Sequence, residues 1–171
     1  MNHPAPKYVM IGDSITEDGS WNELFGRDDI INRGIAGDTS SGVLNRVDRL
    51  QDSIEKAFVM VGINDLIWNR SVNHVFNNYI QILDRLRTKG ITPIVQSTLY
   101  TGRKSAGRYN GHVKTLNDKL KRYCEKENIK FIDLNDILSS YGQLDDQYTI
   151  DGVHLEARAY ILWAESIKDS L

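Results

Sequence analysis

Apolar residues in this 171-residue chain follow two alternating rhythms. Short runs rich in Val and Ile lie at Lys7–Ile11, Ile30–Arg33, Ala57–Val61, Ile91–Ser97 and Lys130–Ile132, bounded by Gly, Asp or Asn. The first, third and fourth are nearly all apolar, as in strands covered on both faces. Between the runs, apolar residues recur every three or four positions, the period of a helix. Val72, Val75, Phe76, Tyr79, Leu83 and Leu86 form one stripe, with Ser71 placed as its N-cap and Gly90 as its stop. Val113, Leu116, Leu120 and Tyr123 form a second, and Leu155, Ala159, Leu162, Trp163 and Ile167 a third. A shorter helix is expected from Ser41 to Leu50. Strands alternating with helices predict βαβ units with right-handed crossovers. The expected fold is α/β, a three-layer α/β/α sandwich on a parallel sheet of about five strands, with residues 1–171 as one domain. Two long loops are expected, Tyr100–Gly107 and Tyr141–Asp151.

Composition narrows the function classes. The formal net charge is −2, without the basic surface of a nucleic-acid binder. The one basic cluster, Lys119-Leu120-Lys121-Arg122, sits on a helix pattern and reads as a solvated face. Cys124 is the single cysteine, so no intramolecular disulfide can form, and its place on the second stripe puts it in the core. No stretch has the length of a membrane span. Met1-Asn2-His3-Pro4-Ala5-Pro6 lacks an apolar leader region. That pattern predicts a cytoplasmic protein if the chain is complete, and allows export if a leader was removed. A homodimer is left open. Trp163 falls on the third stripe and is expected in the core; Trp21 and Trp68 could line a core, a site or an interface.

Ligands of open α/β sheets bind beyond the carboxyl ends of the strands, so the residues there carry the chemistry. Gly12-Asp13-Ser14 follows the first strand, and Asn32-Arg33-Gly34-Ile35-Ala36-Gly37-Asp38-Thr39 follows the second. Gly62-Ile63-Asn64-Asp65 follows the third, and Asp151-Gly152-Val153-His154 precedes the last helix. Ser14-Ile15-Thr16-Glu17 fits a capping box, which would make Ser14 a plain helix cap. Alternatively Ser14 is a nucleophile. Asp151 and His154, three residues apart, could form a carboxylate-held imidazole base, or Asp151 could only cap the last helix. A metal pair is disfavoured, because His3, His74 and His112 show no ligand spacing. Acyl transfer also needs fixed N–H donors for the oxyanion. The glycines and Asn64 can supply them, or they can be ordinary turn residues. Each bland reading holds alone; four together at successive loops of one sheet edge do not.

The ordered set Gly12-Asp13-Ser14, Gly34-x-x-Gly37-Asp38-Thr39, Gly62-x-Asn64-Asp65 and Asp151-Gly152-x-His154 resembles the GDSL or SGNH hydrolase family. The likeness is greatest to its compact branch of platelet-activating-factor acetylhydrolase-like proteins. The resemblance implies a flavodoxin-like SGNH-hydrolase fold and a serine esterase that works without cofactor or metal. It makes Ser14 the nucleophile, His154 the base and Asp151 its orienting partner. The oxyanion donors would be the backbone N–H groups of Ser14 and Gly37 and the side chain of Asn64, with Asp13 and Asp65 in support. Ile15 stands where the family name has Leu, a similar apolar residue. The G-x-S-x-G elbow of the larger α/β-hydrolases is absent, since Thr16 follows Ile15.

The expected substrate is a small-molecule ester of a short acyl group, acetyl above all, on a carbohydrate or lipid-like alcohol. The polar loop Thr101–Arg108 hints at a polar or anionic leaving group. One alternative is a lysophospholipase or thioesterase acting on longer acyl chains. An alternative of another class is a non-catalytic carbohydrate-binding pseudo-enzyme. A nucleotide-binding module would want a G-x-x-x-x-G-K-[ST] or G-x-G-x-x-G loop after the first strand, and neither is there.

Overall fold

A computed structural model describes residues 4–105 and 107–171. Met1–His3, half of the stretch read for a leader, and Ala106 of the polar loop lie outside the described residues. In chain order the elements are β1 (Tyr8–Gly12), α1 (Ser14–Glu17), α2 (Trp21–Phe25), β2 (Ile30–Gly34), α3 (Ser40–Arg46), β3 (Lys56–Met60), α4 (Ile63–Ile67) and α5 (Val72–Thr88). Then follow β4 (Thr92–Gln96), α6 (Asn110–Glu127), β5 (Lys130–Ile132), α7 (Asn135–Leu138), β6 (Ser139–Ser140), β7 (Gln143–Leu144) and α8 (Ala157–Ile167).

The five main strands form one parallel sheet in the order β2-β1-β3-β4-β5. The chain steps outward from β1 to β2, then crosses back to β3 on the other side. This flavodoxin-like order opens a crevice at the carboxyl ends of β1 and β3. Helices flank the sheet in two groups, α3 with α5 and α6, and α2 with α7 and α8. The sheet interior is dry, since every residue of β1 is buried, as are Ala57 to Met60 of β3.

The long helices form where the apolar stripes lie. Ser71 caps α5, its side chain accepting from His74 N–H, and Gly90 follows its end in a left-handed turn (φ +75°). Cys124 is buried in α6, and burial pushes its thiol up to about 12. The third stripe differs from expectation. Leu155 lies outside α8, in a bridge with Thr149, and Leu162 is exposed. Ala159, Tyr160, Trp163, Ala164 and Ile167 are the buried face, a closer 3.6-residue repeat that leaves Leu162 on the flank. Trp163 meets Trp21 edge to face at 4.8 Å, so both are core, whereas Trp68 is exposed. The helix expected over Ser41–Leu50 is shorter, because α3 tightens into a 3₁₀ turn at Val47–Arg49. Both expected loops carry structure: a 3₁₀ turn at Arg103–Ser105, the β6–β7 hairpin, and a second 3₁₀ turn at Asp146–Tyr148.

Candidate active site

Ser14 enters the site because β1 turns sharply at its end. A Cβ on Gly12 would lie 2.4 Å from the Met60 carbonyl oxygen and 2.1 Å from Thr16 Oγ1, so only glycine lets β1 and α1 approach this closely. The next residue caps the helix. Asp13 Oδ1 accepts from Ile15 N–H at 3.0 Å, which corrects the capping-box expectation for Ser14. The cap shifts one residue because Asp13 is as good an N-cap as serine. Glu17, the other half of the expected box, accepts from Ala36 N–H instead. Ser14 is therefore the first helical residue, with its hydroxyl free of capping. Its Oγ stands 3.1 Å from His154 Nε2. Asp13 is buried, which pushes its carboxyl up to about 7 against the pull of its backbone hydrogen bonds.

His154 comes from a tight turn organised by Asp151. Asp151 Oδ1 accepts from the backbone N–H of Val153 and of His154, at 2.9 and 2.8 Å. Its Oδ2 lies 2.7 Å from His154 Nδ1. An ionised carboxylate can only accept, so Nδ1 carries the hydrogen and a neutral ring leaves Nε2 as an acceptor facing Ser14. Partial burial pushes the Asp151 carboxyl up, but the hydrogen bonds from His154 and Val153 outweigh it and hold it at about 2. The turn is braced from the loop after β4. Gly102 N–H donates to the Gly152 carbonyl at 2.7 Å, and Lys104 Nζ to the Ile150 carbonyl at 2.9 Å. Gly152 has φ +93°, and a Cβ there would lie 2.7 Å from Ser105 N.

Donors gather at the ends of β2 and β3. Gly37 sits in a left-handed turn (φ +76°), and its N–H has no hydrogen-bond partner among the described residues. Asn64, second residue of α4, donates one amide hydrogen to the Asp38 carbonyl at 2.9 Å. A primary amide carries two donors, so one is left. Asp65 is buried, and its carboxylate accepts from Ser40 N–H and Oγ–H at 2.8 and 2.7 Å. Those bonds fix the start of α3 to α4. Thus Ser14, His154 and Asp151 meet in one chain of contacts, and Gly37 and Asn64 are tied together through Asp38.

Three neighbours escaped the sequence reading. Arg46 grips the Asp38 carboxylate through Nε and Nη2, both at 2.8 Å, and donates to the Gly12 carbonyl at 3.1 Å. Asn78 donates to Ser40 Oγ at 2.9 Å. Gly42 is needed because a Cβ there would collide with Asp38 Oδ1. Arg46 and Asn78 lie inside ordinary helix patterns, and no local signal marks them. Among the described residues no cluster of three or more His, Cys, Asp or Glu side chains could hold a metal ion, and no helix is long and apolar enough to cross a membrane.

A sequence model of the GDSL-like lipase/acylhydrolase family matches residues 10–162. A solved structure assigned as a platelet activating factor from Streptococcus pneumonia is 27% identical, with a TM-score of 0.89 over 99% of this chain and 86% of that one. One assigned as an acylhydrolase from Bacteroides fragilis is 25% identical, with a TM-score of 0.86 over 99% and 90%. Among curated proteins, an N-acylneuraminate cytidylyltransferase of Streptococcus agalactiae is 29% identical over 126 residues, 70% of this chain. That match spans only 30% of the relative's own length.

Proposed function

Because the chain belongs to the GDSL-like lipase/acylhydrolase family, we propose that it is a serine esterase that cleaves a small acyl ester, acetyl above all, of a carbohydrate or lipid-like alcohol. The observation that carries this reading is the contact chain from Ser14 Oγ to His154 Nε2 (3.1 Å) and from His154 Nδ1 to Asp151 (2.7 Å). In this mechanism Ser14 Oγ attacks the ester carbonyl while His154 Nε2 takes its proton. Asp151 holds the ring in the tautomer that leaves Nε2 basic and stabilises the imidazolium that forms. The oxyanion meets the backbone N–H of Ser14 and of Gly37 and the second amide hydrogen of Asn64. His154 returns the proton to the departing alcohol, and water releases the acyl group by the same route. Asp13 and Asp65 support the site by capping α1 and tying α4 to α3. Hydrolysis of p-nitrophenyl acetate tests the reading: Ser14→Ala should abolish turnover with the fold intact, and wild-type turnover in that variant would refute it.

One observation favours the longer-acyl alternative. A mainly apolar groove of about 570 Å³ is lined by Leu24, Ile150, Leu155, Tyr160 and Ile161 together with Asp18 and Ser20, and Ile150 and Leu155 flank the Asp151–His154 turn. Rates on esters of two to twelve carbons separate the readings, since a preference for the longest chains would replace acetyl with a fatty acyl group.

A further inference from the structure

A second cavity lies at the carboxyl end of β2. It encloses about 310 Å³, at the small end of ligand pockets. Arg33, Arg46 and Arg49 converge on it, with Gly34 and Ile35 as wall and the buried Leu50 beside them. Among the described residues no acidic side chain lines it. Arg46 is already committed to Asp38, but Arg33 and Arg49 make no ion pair and no side-chain hydrogen bond among the described residues. The nearby Asp48 is taken by Arg85 at 2.9 Å. Exposed arginines are usually dispersed in solvent. Here three guanidinium groups, from the edge strand and from α3 and its 3₁₀ extension, share one concavity, and only Arg46 among them has a carboxylate partner. Guanidinium forks match carboxylate and phosphate oxygens better than any other side chain does.

Position links this cavity to the reaction edge. Arg46 donates to the Gly12 carbonyl at 3.1 Å, and Gly12 stands two residues, at most about 7 Å of chain, before Ser14. Ile35, on the wall, stands two residues before Gly37 and accepts from Asp38 N–H. A ligand group held by these arginines thus sits against the loop that carries the Gly37 donor. We propose that the cavity binds a carboxylate or phosphate on the alcohol part of the substrate, so that the protein deacylates esters of an acidic alcohol such as a sugar acid or a sugar phosphate. The inference rests on the esterase reading and narrows its substrate class.

The test is calorimetric titration of the full chain at low salt with glucuronate, glucose 6-phosphate, inorganic phosphate and glucose. At least one of the two sugar anions should bind about tenfold or more tighter than glucose, and should raise the KM for p-nitrophenyl acetate without lowering kcat. The Arg33→Gln/Arg49→Gln double variant should weaken that binding by about tenfold or more. Arg49→Glu, a single change at an exposed position, should weaken it too. Arg46 is left intact because it also holds Asp38. Sugar anions that bind no tighter than glucose, or binding that survives both variants, would overturn the proposal. So would inorganic phosphate binding as tightly as the sugar anions with no effect on KM, since that describes a free-anion site. If wild-type protein fails to hydrolyse p-nitrophenyl acetate, the esterase reading falls and the substrate subsite with it. Calorimetry separates that outcome from a failure of the cavity to bind anions.

Discussion

Asn64 and Asp38 are joined by one hydrogen bond, from the Asn64 amide to the Asp38 carbonyl at 2.9 Å, that ties the loop after β2 to the start of α4. The same bond turns the Asn64 amide toward the loop of Gly37. An oxyanion donor works only if it is already in place when charge develops. Asn64→Ala should therefore lower kcat on p-nitrophenyl acetate by about 10²–10³ with little change in KM. Steady-state kinetics checks this, and an unchanged kcat would remove Asn64 from the oxyanion hole.

Asp151→Asn keeps an acceptor for the Val153 and His154 N–H groups but can present an amide N–H to His154 Nδ1. The ring can then switch tautomer and turn a hydrogen toward Ser14. The expected loss is about 10²–10⁴ in kcat. Nitrogen-15 shifts of the imidazole should report the tautomer change alongside the rate. A variant that keeps wild-type rate would show that Asp151 serves the turn alone.

Gly152→Ala tests the brace behind that turn. The residue has φ +93°, and its Cβ would lie 2.7 Å from Ser105 N. Backbone strain of this kind costs about 1–3 kcal/mol, and the displaced Arg103–Ser105 turn carries Lys104, which holds the Ile150 carbonyl. Chemical denaturation should show the stability loss, and kcat should fall with it because His154 shifts. A variant with wild-type stability would show that the turn relaxes freely.

The alternation of strands and helices was legible because buried strands and amphipathic helices have different periods. The four loop motifs were legible because each is confined to a short segment, three at strand ends and Asp151–His154 just before α8. The cap of α1 was not, since Asp13 and Ser14 are adjacent and both are good caps. Only the packing of Gly12 against Met60 and Thr16 sets the register that frees the Ser14 hydroxyl. Arg46 was illegible for a different reason. Its partners Gly12 and Asp38 lie 34 and 8 residues away, so its role exists only after α3 has docked. The buried face of α8 was misread at Leu162 because a three-residue step fits an apolar stripe as well as a four-residue step does.

Asp13 gives a pH prediction whose sign follows from burial. Its folded carboxyl is raised from 3.8 to about 7, with burial as the largest cause. The folded protein therefore holds this proton over a range where the unfolded chain has released it. Stability from this group is full below about pH 4 and is lost as pH rises through about 7. Asparagine caps helices as well as aspartate and has no charge to bury. Asp13→Asn should thus stabilise the fold relative to wild type at pH 8 and leave it near wild type at pH 4. Urea denaturation at the two pH values measures the difference. An equal gap at both would mean that Asp13 does not change its charge between them.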